Sequence, residues 1–139
     1  MFDNSSFGKT VDILKRGLDV ANIRQGVIAN NIANVETPDF KRSDVSFESE
    51  LGRALASEDN QPSIQAKTSS ERHISFNQPM DYKEVSPKIN LDYLTTVKNN
   101  GNNVDIEVEE MHALKNQMRY ELIMETVTHE FSLVNLVIK

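Results

Sequence analysis

The chain carries a long helical apolar stripe at each end and a polar stretch between them, a layout that limits its possible folds more than any other feature. Near the N-terminus Val11, Leu14, Leu18, Ala21, Gln25, Ile28 and Ile32 recur at alternating spacings of three and four, a heptad-like seam. The spacing predicts a helix over residues 10–34, with Thr10 as its N-cap and Asp12 in the first turn, where the positive end of the helix dipole favours a carboxylate. Lys15, Arg16, Asp19 and Arg24 fall off the seam. Gln25 lies on it, and either fixes register there or marks the edge of an ordinary helix face. The helix should stop after Ile32, because asparagine tolerates the left-handed conformation of a C-cap and Thr37, preceding Pro38, is pushed toward extended geometry.

The second stripe, over residues 104–138, contains two overlapping series. Met111, Leu114, Met118 and Leu122 form one; Tyr120, Met124, Val127, Phe131, Val134 and Ile138 form the other. The change of phase near Tyr120 reads as a stutter in a heptad pattern or as a helix wide enough to touch two partners. Asn102, Asn103 and Asp105 supply stop and cap signals ahead of it. At about 1.5 Å per residue such a helix reaches roughly 50 Å, long for so small a chain. The ends differ in charge. Lys9, Lys15, Arg16 and Arg24 outnumber Asp3, Asp12 and Asp19 in the first, whereas Asp105, Glu107, Glu109, Glu110, Glu121, Glu125 and Glu130 outnumber Lys115, Arg119 and Lys139 in the last. The ends are therefore electrostatically compatible, although exposed pairs contribute little.

Between them, residues 46–56 suggest a short amphipathic helix with Phe47, Leu51 and Leu55 on one face, Ser46 as cap, and Glu48 and Glu50 in the first turn. Residues 57–72 offer almost nothing to bury, which predicts a flexible or partner-ordered segment. Residues 73–93 contain alternating pieces, His73 to Phe76 and Lys88 to Asp92, separated by Pro79 and Pro87, which suit one or two short strands. Residues 99–103 read as a turn. The fold class expected is mainly α: long N- and C-terminal helices packed as a coiled-coil-like pair, with a polar, partly irregular middle holding a short helix and short strands. Three segments follow, 1–40, 41–103 and 104–139.

A chain of 139 residues with 6% aromatics and a formal net charge of −6 has a thin core that needs neighbours. That charge, without a basic stripe interleaved with aromatics, disfavours nucleic acid. With no cysteine there is no thiol nucleophile, disulfide framework or cysteine zinc site. No stretch is apolar enough to span a bilayer, and the first residues lack the pattern of a cleaved secretory signal, so any exit from the cytoplasm is expected by another route. His73, His112 and His129 are scattered, without metal-ligand spacing. The cluster Asp105, Glu107, Glu109 and Glu110 lacks the spacing of a calcium loop and reads as a solvated helix start. No nucleophile elbow, phosphate-cradling glycine loop or triad is present; neither an enzyme nor a cofactor is expected.

Ala29-Asn-Asn-Ile-Ala-Asn34, followed by Thr37-Pro38 and Phe40-Lys41 after a heptad-like helix, resembles the signature of the bacterial flagellar rod and hook proteins. Within that family the short length, Gly101-Asn-Asn-Val-Asp105 leading into a C-terminal helix with Arg119-Tyr120, and the lack of a large inserted domain are similar to the proximal rod members. The likeness covers both ends, about half the chain. Asp39 departs from it: the family usually has glycine after Thr-Pro, so a turn that glycine makes easily is strained or differently shaped here.

The resemblance implies a structural subunit that packs its terminal helices against copies of itself and other rod proteins in a hollow helical tube. It also implies export by the flagellar type III apparatus, a place in the periplasmic rod next to membrane-ring and export-gate components, and a mechanical role as the start of the drive shaft. The residues expected at the assembly interface are Val11, Leu14, Leu18, Ile28 and Ile32; Asn30, Asn31 and Asn34, which satisfy backbone groups at the helix end or bond across subunits; and Leu114, Met118, Leu122, Met124, Val127, Phe131 and Val134. A soluble coiled-coil adaptor or chaperone-like binding module is the alternative, distinguished by a stable dimer that needs no tube.

Overall fold

A computed structural model describes residues 5–59, 80–95 and 99–138. They contribute to two compact units, one drawn from Met1–Val45 with Ile89–Lys139 and the other from Ser46–Lys88. The fold is mainly helical, as expected. In the first unit α1 (Ser6–Ala33) packs along α3 (Ile106–Ile138), helices of 28 and 33 residues. They run antiparallel, because Phe7 meets Phe131 edge-on at 6.0 Å while Asn31 at the other end of α1 reaches Glu109. At about 1.5 Å per residue α3 is roughly 50 Å long. Among the described residues no helix is long and apolar enough to cross a membrane.

The boundaries correct several expectations. Helix α1 begins one turn before Thr10: Ser5 is the N-cap, its Oγ accepting the Gly8 amide at 3.0 Å, and the Thr10 hydroxyl donates to the Ser6 carbonyl inside the helix. The Ser5 hydroxyl satisfies a free amide of the first turn, so it outcompetes Thr10. Asn34 is the C-cap, as the asparagine run suggests. Strand β1 (Ser43–Ser46) takes Ser46 out of the capping role assigned to it; the middle helix α2 (Glu48–Asp59) starts two residues later and runs past Ala56, with Glu48 and Glu50 in its first turn. Strand β2 (Lys88–Leu91) is one of the two alternating pieces and pairs with β1; the other, His73 to Phe76, lies outside the described residues, as does most of the segment 57–72.

The second unit is small. Among the described residues, Ala54 on α2, Phe47 just before it, and Tyr82 and Val85 in and after the 3-10 turn Tyr82–Glu84 are its buried apolar side chains. Ser57 Oγ donates to the Ala54 carbonyl at 2.7 Å and accepts the Met80 amide at 2.9 Å, tying the end of α2 to the segment that leads into that turn.

Two faces of α3 explain the double series in its sequence. With about 100° between successive residues of an α-helix, Glu109, Asn116, Tyr120, Ile123, Val127 and Val134 share one side. That side meets α1: Asn116 bonds to Ala21, and the Ile123 side chain lies against Gly17, where an added Cβ would come within 3.2 Å. Met111, Leu114, Met118 and Leu122 fall on the opposite side and stay 55%, 59%, 62% and 64% exposed. The phase change is thus one helix with two apolar faces and no stutter.

Candidate functional site

The asparagine turn after α1 and the Gly101-Asn-Asn-Val-Asp105 loop before α3 meet in a polar joint that fixes how the two helices leave each other. Asn34 closes α1 locally: its Nδ2 donates to the Asn30 carbonyl at 2.8 Å and to Asn30 Oδ1 at 3.1 Å, and its backbone amide bonds back to the Asn30 and Asn31 carbonyls. Asn102, fully buried, then spreads one amide over three carbonyls of the turn, Asn34 at 3.0 Å, Val35 at 3.1 Å and Thr37 at 2.8 Å, while its Oδ1 accepts the Val104 amide at 2.7 Å. The Asn34 and Thr37 carbonyls also accept amides of the turn itself, from Thr37 at 3.0 Å and Phe40 at 3.4 Å, and the side-chain amide from the next loop adds a second donor to each.

Asn103 and Asn31 do the same for β1. Asn103 Oδ1 accepts the Arg42 amide at 2.6 Å, and its Nδ2 donates to the Asp92 carbonyl at 2.8 Å and to Thr95 Oγ1 at 3.1 Å. The Thr95 hydroxyl, and after it the Leu94 amide, hold the Asp92 carboxyl below its ordinary value. Asn31, also fully buried, accepts the Ser43 amide at 3.0 Å and donates to the Ser43 carbonyl at 2.8 Å, behaving as a third strand residue would. Its remaining amide proton goes to Glu109 Oε2 at 3.1 Å, and Glu109 Oε1 takes Arg42 Nε at 2.5 Å. Glu109 is completely buried, so the expectation of a solvated acidic helix start fails for this residue. Burial is tolerable because both carboxylate oxygens have donors. Glu107 and Glu110 are exposed as expected, and Asp105 caps α3, its Oδ1 accepting the Glu107 amide at 3.0 Å.

Two left-handed residues shape the same joint. Asp39 has φ +59° and Gly101 φ +79°, so the turn keeps a left-handed backbone at a position occupied by aspartate. Asp39 donates its amide to the Asn100 carbonyl at 3.0 Å, and Lys41 Nζ reaches the Gly101 carbonyl at 2.7 Å. A side chain at Gly101 would be strained by its φ and crowded by the Asp39 carboxylate. We expect Gly101→Ala to destabilise the fold by about 1–3 kcal/mol and Asp39→Gly to restore part of that loss, as read by urea unfolding of both variants and the double variant. Full additivity would show that the two positions do not crowd each other.

The residues expected at an interface divide by exposure. Ile28 and Asn31 are buried within the chain; Val11, Leu14, Leu18, Ile32 and Asn34 are half-buried, and Asn30 is exposed. On α3, Val127 and Val134 are half-buried on the α1 side, whereas Leu114, Met118, Leu122, Met124 and Phe131 are exposed. Gln25 is exposed at the edge of the α1 face and accepts a bond from Asn116 at 3.1 Å. Sequence reasoning missed Arg42, Glu109 and Asn116. The signal available was the seven-residue spacing of Glu109, Asn116 and Ile123, which places two polar side chains in phase with the packed seam.

Comparison with known proteins places relatives beside this chain. A family model described as the flagella basal body rod protein matches residues 12–41, which cover most of α1 and enter the joint. Relatives named flagellar basal body rod protein FlgB are 44% identical in Borreliella burgdorferi, over 97% of this chain and 99% of the relative, and 44% identical in Borrelia hermsii, over 96% and 98%. The protein of that name from Bacillus subtilis is 32% identical over 92% of each chain.

Proposed function

Because the chain belongs to the flagellar basal body rod protein family, whose members are structural and not enzymes, we propose that it builds the proximal rod by packing both terminal helices against neighbouring subunits. A structural role in the bacterial flagellar rod follows from the membership itself. The proposal concerns how that role is carried out, and the observation that supports it is the outward face of α3. Met111, Leu114, Met118 and Leu122 form a continuous apolar stripe on the side turned away from α1, while buried apolar side chains are few among the described residues. Soluble monomers rarely leave such a patch uncovered. A contact of one subunit's stripe with a different surface of the next does not close on itself and propagates as a helix, the geometry of a tube.

In this reading the interface comprises the exposed Asn30 and the half-buried Val11, Leu14 and Leu18 on the α1 side, and the exposed Leu114, Met118, Leu122, Met124 and Phe131 on the α3 side. Neighbours are copies of this chain, other rod proteins, and components of the membrane ring and export gate. Segments 1–40 and 104–139 carry the assembly and 41–103 varies. Type III export, a periplasmic position and torque transmission as the drive shaft belong to the same reading, supported by family membership. The test is sedimentation with circular dichroism over a wide concentration range, alone and with other rod proteins. A monomer at low concentration that associates reversibly and gains helix as it does so is the expected result. A compact helical dimer independent of concentration would sink it and favour the coiled-coil adaptor.

A further inference from the structure

Midway along the helix pair a cavity of about 390 Å³ opens between α1 and α3, lined among others by Asn22, Gln25, Asn116, Gln117, Tyr120 and Glu121. Asn116 is only 3% exposed, and its Nδ2 is committed to the Ala21 carbonyl at 2.9 Å and Gln25 Oε1 at 3.1 Å. Turning the amide over would set oxygen against those two acceptors, which fixes its orientation. Asn116 Oδ1 is left as a buried acceptor with no donor among the described residues. A buried acceptor in this condition takes its donor from an ordered water or from a group outside the chain. The other lining groups select its charge. Glu121 brings a carboxylate, held at one oxygen by Gln117 Nε2 at 3.0 Å, Tyr120 brings an aromatic ring, and no described lining residue is basic. Acceptors, a carboxylate and a ring together suit a cation.

We propose that this cavity receives the ammonium or guanidinium group of a lysine or arginine carried by a helix of a neighbouring rod subunit. The inference rests on the assembly reading above, and the position of the cavity connects the two. Glu121 lies three residues after Met118 and seven after Leu114, so it borders the outward stripe. A helix seated on that stripe places its flanking side chains over Glu121, as charged residues beside a coiled-coil seam do. The cation then satisfies Asn116 Oδ1 and sets the register of the two helices, which an apolar stripe alone specifies weakly.

The experiment is a titration of the isotopically labelled intact chain with N-acetyl-arginine amide, followed by NMR, with N-acetyl-citrulline amide as the neutral analogue of the same shape. Saturable shifts at the Asn116 and Gln25 side-chain amides with the arginine compound, absent with citrulline, are expected. Glu121→Gln, at an exposed position, should weaken that binding roughly two- to fivefold without changing the fold. Equal shifts from both compounds would overturn the cation assignment, and no saturable shift would mean that water alone fills the cavity. Sedimentation of the same samples reads assembly separately. Association without cation binding removes this site and leaves the rod reading; cation binding without association, at concentrations where subunits should meet, removes the rod reading and with it the neighbour as the source of the cation.

Discussion

Glu109→Ala is expected to lower the unfolding free energy by about 3–5 kcal/mol, the cost of breaking a buried pair from one side. Glu109 has no solvent exposure, its two oxygens are occupied by Arg42 Nε and Asn31 Nδ2, and the Arg42 side chain is itself only 19% exposed. Truncating the acid leaves a largely buried guanidinium and an amide proton without acceptors. It also leaves a void where three elements meet: the end of α1, the start of β1 and the first turns of α3. Arg42→Ala should cost a similar amount, because it leaves the fully buried Glu109 carboxylate with one neutral donor, Asn31. The double variant should fall well short of the sum, since each single change already strands the other group. Urea unfolding followed by circular dichroism reads all three. A loss below about 1 kcal/mol in Glu109→Ala would mean that the carboxylate reaches water in solution.

That network shows where reading the sequence stops. The long helices and the strand at Lys88–Leu91 were legible because each is set by local periodicity or turn chemistry. Asp105 as a cap and Asn34 as a helix stop were legible for the same reason. Glu109 was not, because its neighbours Glu107 and Glu110 are solvated and only the approach of Arg42, distant in sequence, distinguishes it. Asn102 and Asn103 look like ordinary turn residues in sequence, yet each bonds across the joint to backbone groups of a segment more than sixty residues away. The interface itself was half legible. The Met111 to Leu122 series was visible as a stripe, but its position opposite α1 depends on which face of α3 the Gly17 and Ala21 region of α1 accepts. A Cβ at Gly17 would crowd Ile123, so that close approach commits one face and leaves the other to a neighbour.

Replacing Leu114, Met118 and Leu122 together with serine should abolish association while leaving the monomer folded. These side chains are 59%, 62% and 64% exposed, so truncating them removes little packing within the chain, and each should change monomer stability by no more than about 0.5 kcal/mol. In an assembled rod the exposed part of each is what a neighbour covers. Full burial of such a side chain contributes about 1.5–3 kcal/mol, so three side chains with over half their surface still to bury account for about 3–5 kcal/mol of contact. That corresponds to a loss of about 10²–10⁴-fold in subunit affinity, enough to leave the chain monomeric at concentrations where the parent associates. Ile123→Ser supplies the contrast. Ile123 sits on the opposite face against Gly17, so its replacement should lower monomer stability and reduce association only as a consequence. Sedimentation, thermal unfolding and complementation of motility separate the two effects: at concentrations where the parent is monomeric the triple variant should melt close to the parent, and at higher concentrations it should lose assembly, whereas Ile123→Ser should lose both. Normal association by the triple variant would mean that the outward face of α3 is not where the subunits meet, and the interface would have to be sought on the exposed side of α1.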